Sequence, residues 1–315
     1  MDLLATSIAP TACGRRALTI VNKLLQVSAC VPNRSRTEYG VFENEIESRV
    51  TPPAASANAG SQFETRVGAF YTLSILADSE PRGLVGARIQ SVALQQRIAG
   101  HPLDDIVIHA TNADGSEATL EIQAKRTMTF TASDAEFVDV VGQVWKAAQN
   151  PAFETGRYET AVAVSRTTTR IEQAVQEVLN WARQLPDATT FASNIRRKGF
   201  ASEAMRSFVA VFADNLARHG APNDEQTLWR LLRRFQVLVF DFDAVGSDYA
   251  HRARERCRFV LAADQAHRAG DLWSHLIVDA EESAKAGGAR TRPRSSGSYL
   301  RKRAFGSGMP LICVT

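Results

Sequence analysis

The sequence predicts an α/β fold, a mixed β-sheet flanked by helices, followed by a mainly α-helical domain. One basis is the succession of patterns between residues 59 and 166, which reads α/β/β/β/α/β. A second is the change beyond Thr167, where apolar residues recur at helical rather than strand spacing. The third is composition. With 44% apolar and 23% charged residues, the 315-residue chain matches a folded, water-soluble protein long enough for two domains, which excludes fibrous and wholly disordered classes.

Residues 1–58 read as a mostly disordered segment. Their apolar patch, Ala17 to Val27, is interrupted by Asn22 and Lys23 and makes a poor signal peptide, while Val50 to Gly60 has the composition of a linker. Phe63, Val67, Phe70, Tyr71 and Ile75 then recur at helical spacing, so a helix is expected over Ser61 to Leu76 with Glu64 in its first turn. Extended stretches follow at Gly86 to Leu94 and Asp105 to Ala110, and the Asp114-Gly115 pair suits a tight reversal into a return strand, Ala118 to Arg126. Ser133-Asp134-Ala135-Glu136 has the form of a capping box opening a helix whose one face carries Phe137, Val140, Val141, Val144 and Trp145. Tyr158 to Ser165 adds another strand to the same sheet and closes the first domain, residues 59–166.

The helical domain, residues 167–284, carries amphipathic segments at Ile171 to Gln184, Ser202 to His219, Glu225 to Phe235 and Asp271 to Ala284. A β-rich run, Gln236 to Phe242, interrupts them. Residues 285–315 read as a basic flexible tail, since no acid occurs from Ser283 to the end. No apolar run approaches the roughly 20 residues of a bilayer helix, so no membrane partner and a cytoplasmic location are expected. Cys13, Cys30, Cys257 and Cys313 lack zinc or disulfide spacing, the six histidines show no HExxH, and no GxxxxGK[ST] phosphate loop occurs.

Chemistry concentrates on two strands. Asp104-Asp105 opens one, and Leu120-Glu121-Ile122-Gln123-Ala124-Lys125-Arg126 forms the next, whose two-residue period sets Glu121, Gln123 and Lys125 on one face. If helices cover both sides of the sheet, those polar groups need a partner or a cleft. Phosphodiester hydrolysis needs a hard divalent cation on oxygen ligands and a cationic group for the developing charge. Asp105 or its neighbour Asp104 can supply the carboxylate, the Gln123 side-chain oxygen and the Ala124 carbonyl further ligands, and Lys125 the charge. Glu64 can hold a metal-bound water or a second metal. The catalytic set is therefore Asp105, Gln123, Lys125 and Glu64. The metal set is Asp105, Asp104, Gln123 and Glu64, binding Mg²⁺ or Mn²⁺, and Lys125 and Arg126 are the DNA contacts.

The spacing Glu64, Leu103-Asp104-Asp105-Ile106, Ile122-Gln123-Ala124-Lys125 resembles the endonuclease domain of CD-NTase-associated double-stranded DNA endonucleases, within the PD-(D/E)xK superfamily. The resemblance covers about residues 60–165, and more loosely the continuation, where Leu272-Trp273 and Gly287-Gly288-Ala289-Arg290-Thr291-Arg292 are also similar. It implies a restriction-endonuclease-like fold, cleavage of double-stranded DNA with little sequence preference, and an antiphage effector role. A sensor or NTPase partner and homo-oligomerisation are implied with it. Gln123 stands where the superfamily usually has an acid, a departure shared with a Gln-x-Lys subgroup.

Blander readings stand beside these. Asp104-Asp105 can be a solvated turn, Lys125-Arg126 a surface pair, and Glu64 a favourable partner of its helix dipole. The four tryptophans read as core packing. The basic groups Arg196-Arg197-Lys198, Arg230 with Arg233-Arg234, and Arg252, Arg254, Arg256 read first as solvated helix faces and second as groups that steer DNA. A catalytically silent DNA-binding or scaffold module that recruits a sensor is the alternative function.

Overall fold

The computed structural model describes residues 53–244 and 246–292, with side chains from residue 59. The expectations for residues 1–52 and for the tail beyond residue 292 lie outside the described residues. The described elements, all within one compact unit that begins at Thr51, are α1 (Pro53–Leu76), β1 (Ala87–Leu94), β2 (Ile106–Asn112), β3 (Glu117–Lys125), α2 (Ala135–Ala147), α3 (Pro151–Thr155), β4 (Arg157–Val164), α4 (Gln176–Gln184), α5 (Ala188–Arg196), α6 (Glu203–Arg218), α7 (Glu225–Leu232), β5 (Phe235–Val239), α8 (Asp248–Val260), α9 (Ala269–Ala286) and β6 (Ala289–Thr291).

The strands form one sheet in the order β5-β4-β3-β2-β1-β6. β1, β2 and β3 make an antiparallel meander, β6 pairs antiparallel with β1, and β4 and β5 run parallel to β3. The β2–β3 reversal is built as its Asp-Gly pair demands. Gly115 adopts φ +84°, and Ser116 donates its N–H to the Asp114 carboxylate.

Strand alternation sends neighbouring residues into two separate cores, one on each face. Val162 and Val164 of β4 pack with α2 and α4–α7, around Phe137, Phe208, Phe212 and Phe235. Ala161 and Ala163 face α1, α8 and α9, around Phe70, Tyr71, Phe240 and Trp273. The mixed α/β class and the α/β/β/β/α/β order are thus present, but the boundary at residue 166 falls between two strands of one sheet. β5, from the segment read as helical, and β6, from the segment read as tail, complete its two edges. Strand pairing joins residues far apart in sequence, and a pattern read along the chain does not register it.

Local differences have local causes. α1 begins at Pro53 rather than Ser61, so the expected linker is helical from that point. Pro at the first helical position and the Ala-rich run after it favour this. Glu64 consequently lies three turns inside the helix, which removes the dipole reading. Asp134, not Ser133, caps α2, accepting from the Phe137 N–H. The helix expected over Glu225 to Phe235 ends at Leu232 because Phe235 starts a strand. α3, α5 and α8 were not expected, and the five-residue α3 intervenes between α2 and β4. α8 buries only Ala253 and Cys257 among its described residues, too sparse a stripe for periodicity to reveal. Trp229 and Trp273 are buried, and Trp145 and Trp181 pack against the core, as core packing requires.

Candidate active site

Three chain ends meet at one end of the sheet. β1 stops at Leu94, β2 starts at Ile106, and the register Leu94–Ile106–Ile122 across the three strands brings Gln95, Asp105 and Gln123 level. α1 supplies a fourth group. A Cβ on Gly68 would come within 3.1 Å of Leu94, so glycine permits the helix to lie close against β1 at this end. Glu64, one turn earlier on the same helix face, then reaches the site.

The side chains are linked. Asp105, 8% exposed, accepts through Oδ2 from Gln123 Nε2 at 2.5 Å and from the Ala124 backbone N–H at 2.8 Å. Gln95 Nε2 bridges the acids, donating to Glu64 Oε1 at 2.6 Å and to Asp105 Oδ1 at 3.4 Å. Gln95 holds φ +54°, a left-handed conformation strained for a residue with a Cβ, and its own N–H donates to the Asp105 carbonyl. No sequence signal marked Gln95. Its role follows from lying one residue past a strand whose register is set by β2.

The electrostatics are those of crowded acids. Burial, and then the nearby Glu64 carboxylate, push the Asp105 carboxyl up to about 7, against the pull of the Ala124 N–H. Burial raises Glu64 as well. The Gln95 hydrogen bond and Lys125 offset part of this, while Asp104 adds to it. Lys125 is half-buried, and its charge acts on both acids through space.

The structure separates the two adjacent aspartates. Asp104, 4% exposed, accepts through Oδ1 from Arg97 Nη2 at 3.1 Å and Nε at 3.3 Å, so its carboxylate is already paired with a cation. Neither aspartate sits in a solvated turn. Arg126 is likewise engaged, donating from Nε to Asp243 Oδ2 at 2.8 Å, while Arg66 and Ser165 hold the same carboxylate. The groups brought together are therefore Glu64, Asp105, Gln123 and Lys125. Asp104 and Arg126 flank them in ion pairs.

Among the described residues, no three His, Cys, Asp or Glu side chains are grouped to hold a metal ion. The converging donors are instead two carboxylates and an amide. Gln123 Oε1 is buried and has no hydrogen-bond partner, while the Nε2 of the same amide is spent on Asp105. A buried acceptor without a donor, beside two carboxylates that burial and neighbouring acids hold above their ordinary range, fits a hard cation taking oxygen ligands.

Two residues along β3, Glu121 is fully buried and differently placed. It accepts from the Leu103 N–H at 3.2 Å and from the Tyr158 hydroxyl, and pairs with His101 Nδ1 at 2.6 Å. His101 also lines a cleft of about 470 Å³ with Arg97, Asp139, Lys146 and His219, so the Arg97–Asp104 pair joins that polar cleft to the carboxylate cluster. The His219 ring fits over α2 only because Gly142 has no Cβ.

No family model and no curated protein matches the chain. Among solved structures it is similar to the Acinetobacter baumannii Cap4 SAVED/CARF-domain containing receptor with the cyclic trinucleotide 3'3'3'-cAAA, at 12% identity and a TM-score of 0.44, over 74% of this chain and 45% of that one. The structure of the same receptor described without a trinucleotide gives 11% identity and a TM-score of 0.42, covering 74% and 44%. That with 2'3'3'-cAAA gives 10% and 0.43, covering 74% and 42%. The chain thus spans less than half the length of these structures.

Proposed function

We propose that this chain is a metal-dependent endonuclease with a restriction-endonuclease-like core, hydrolysing double-stranded DNA with little sequence specificity. The observation that carries the reading is the meeting of Glu64, Asp105 and the unpartnered Gln123 Oε1 beside Lys125, from a helix and the two strands of a hairpin that follows it in the chain. Asp105, Gln123 and Glu64 would hold Mg²⁺ or Mn²⁺, which supplies Lewis-acid polarisation of a phosphoryl oxygen when bound. Lys125 balances charge developing on the phosphate. The wall formed by Arg97, His101, Lys146 and His219 receives the phosphodiester backbone. The resemblance to CD-NTase-associated endonucleases is what implies an effector role in antiphage defence, together with a separate sensor or NTPase partner and self-association.

The second reading is a catalytically silent module of the same fold that binds DNA or recruits a partner. It is favoured by the two internal donors that already satisfy Asp105 Oδ2. Incubating supercoiled plasmid with the protein in Mg²⁺, in EDTA, and beside Lys125→Ala separates the two. The nuclease reading expects nicking that disappears in both controls. Intact plasmid at high protein and low salt, with DNA affinity persisting in chelator, assigns the module reading instead.

A further inference from the structure

The opposite end of the sheet carries a cluster of reversed sign. Arg157 opens β4 and pairs with Ala118 of β3, five residues before Gln123, which is about 16 Å along a strand. Around it, Arg183 from the last turn of α4 and Arg233 and Arg234 from the α7–β5 connection converge on a cleft of about 400 Å³ that holds a single carboxylate, Glu159. Arg233 and Arg234 belong to the basic groups that the sequence marked and the candidate active site does not use.

The four guanidiniums are held without being neutralised. Arg183 donates to the Phe235 carbonyl, Arg234 to the Gly156 carbonyl at 3.0 Å, and Arg157 to the Val85 carbonyl and the Asn112 side chain at 2.9 and 3.0 Å. Arg233 lies 4.5 Å from the Trp229 ring centre. These contacts fix orientation, and with five N–H groups on each arginine they leave donors to spare. No carboxylate lies within ion-pair distance of the four among the described residues. Glu159 acts on three of them only through space, and Gln236 Nε2 donates to it at 3.1 Å. Burial depresses the pKa of Arg183 and Arg234, so the charge is concentrated where water solvates it poorly.

We propose that this cleft is a binding site for a nucleotide-sized polyphosphate. Four cations against one carboxylate call for a ligand carrying several negative charges. Planar guanidinium forks match the paired oxygens of a phosphate, a polyphosphate places several such charges on one small ligand, and the volume falls in the small-molecule range rather than that of a duplex. The inference does not rest on the nuclease reading, since it uses none of the residues at the other end of the sheet.

Isothermal titration of the whole chain with tripolyphosphate, in EDTA and at low salt, tests it. One site with submillimolar affinity is expected. Arg233→Ala should weaken it about tenfold, as loss of a charge-assisted contact does, and Asp105→Asn should leave it unchanged. Arg233 is exposed, so that variant tests the site without threatening the fold. Absence of binding at millimolar tripolyphosphate, or equal affinity in the Arg233→Ala protein, overturns the proposal. So does a duplex oligonucleotide that loses affinity in Arg233→Ala while tripolyphosphate fails to bind, which would make the cluster part of a nucleic-acid track.

Discussion

The two ends of the central sheet are built from the same strands and carry opposite electrostatic problems. Where β3 ends, half-buried Glu64 and buried Asp105 lie within reach of one another, and both carboxyls are held above their ordinary range. Where β3 and β4 begin, Arg183 and Arg234 are half-buried in a cluster of cations, and their pKa values are depressed. Glu121, buried between the two ends, is partnered instead of crowded. Its carboxylate is surrounded by Tyr158, His101 and the Leu103 N–H. Clusters that are crowded and under-partnered are where a counter-ion gains most, because the protein has not already supplied its own.

The sharpest way to break this comparison is at the acidic end. Asp105→Ala and Lys125→Ala should each lower Mg²⁺-dependent nicking by about a hundredfold or more, measured as the rate of supercoil loss. A folded variant retaining full activity would remove Asp105 or Lys125 from the chemistry. Glu121→Ala should instead act on stability. It strands Tyr158, His101 and the Leu103 N–H and leaves a void, so unfolding in urea should come about 2–4 kcal/mol earlier. Asp105→Asn, which relieves repulsion, should be neutral or stabilising. Equal losses in the two variants would erase the distinction between a partnered and a crowded acid.

The pH dependence sharpens the same point. Asp105 titrates near 4 when unfolded and at about 7 in the fold. The folded state therefore binds more protons between those values, and stability falls as pH rises through that window in chelator. The loss is a few kcal/mol at most and flattens above pH 7. Urea titrations across the window should show a shallower slope for Asp105→Asn, and a parallel slope would refute the assignment. Smallest of all, Arg126→Ala breaks a partly exposed pair with Asp243 that Arg66 and Ser165 also hold, so it should shift stability by under about 1 kcal/mol. A larger shift would make the pair with Asp243 structurally important, whereas a specific loss of DNA affinity at unchanged stability would place Arg126 on the binding surface.

Much of this was legible in the chain. Alternation along β3 placed Glu121, Gln123 and Lys125 on one face, and helical spacing located α1 with Glu64 on it, because both periods are local properties of the backbone. Side-chain partners were not legible, whether near or far along the chain. Asp104 pairs with Arg97, seven residues before it, and Arg126 with Asp243, 117 residues after it, and no local period announces either pair.

By itself, the sequence determined the α/β class, the order of the first five elements with β4 to follow, and the acid, amide and lysine that define the candidate site. These follow from propensity and periodicity, which act over a few residues. Only the tertiary structure decided that β5 and β6 complete one sheet across the expected domain boundary, that Gln95 bridges the two acids, and that four arginines from three stretches of chain face one cleft. Those outcomes depend on strand register and helix packing, which are fixed when distant segments bury apolar surface together.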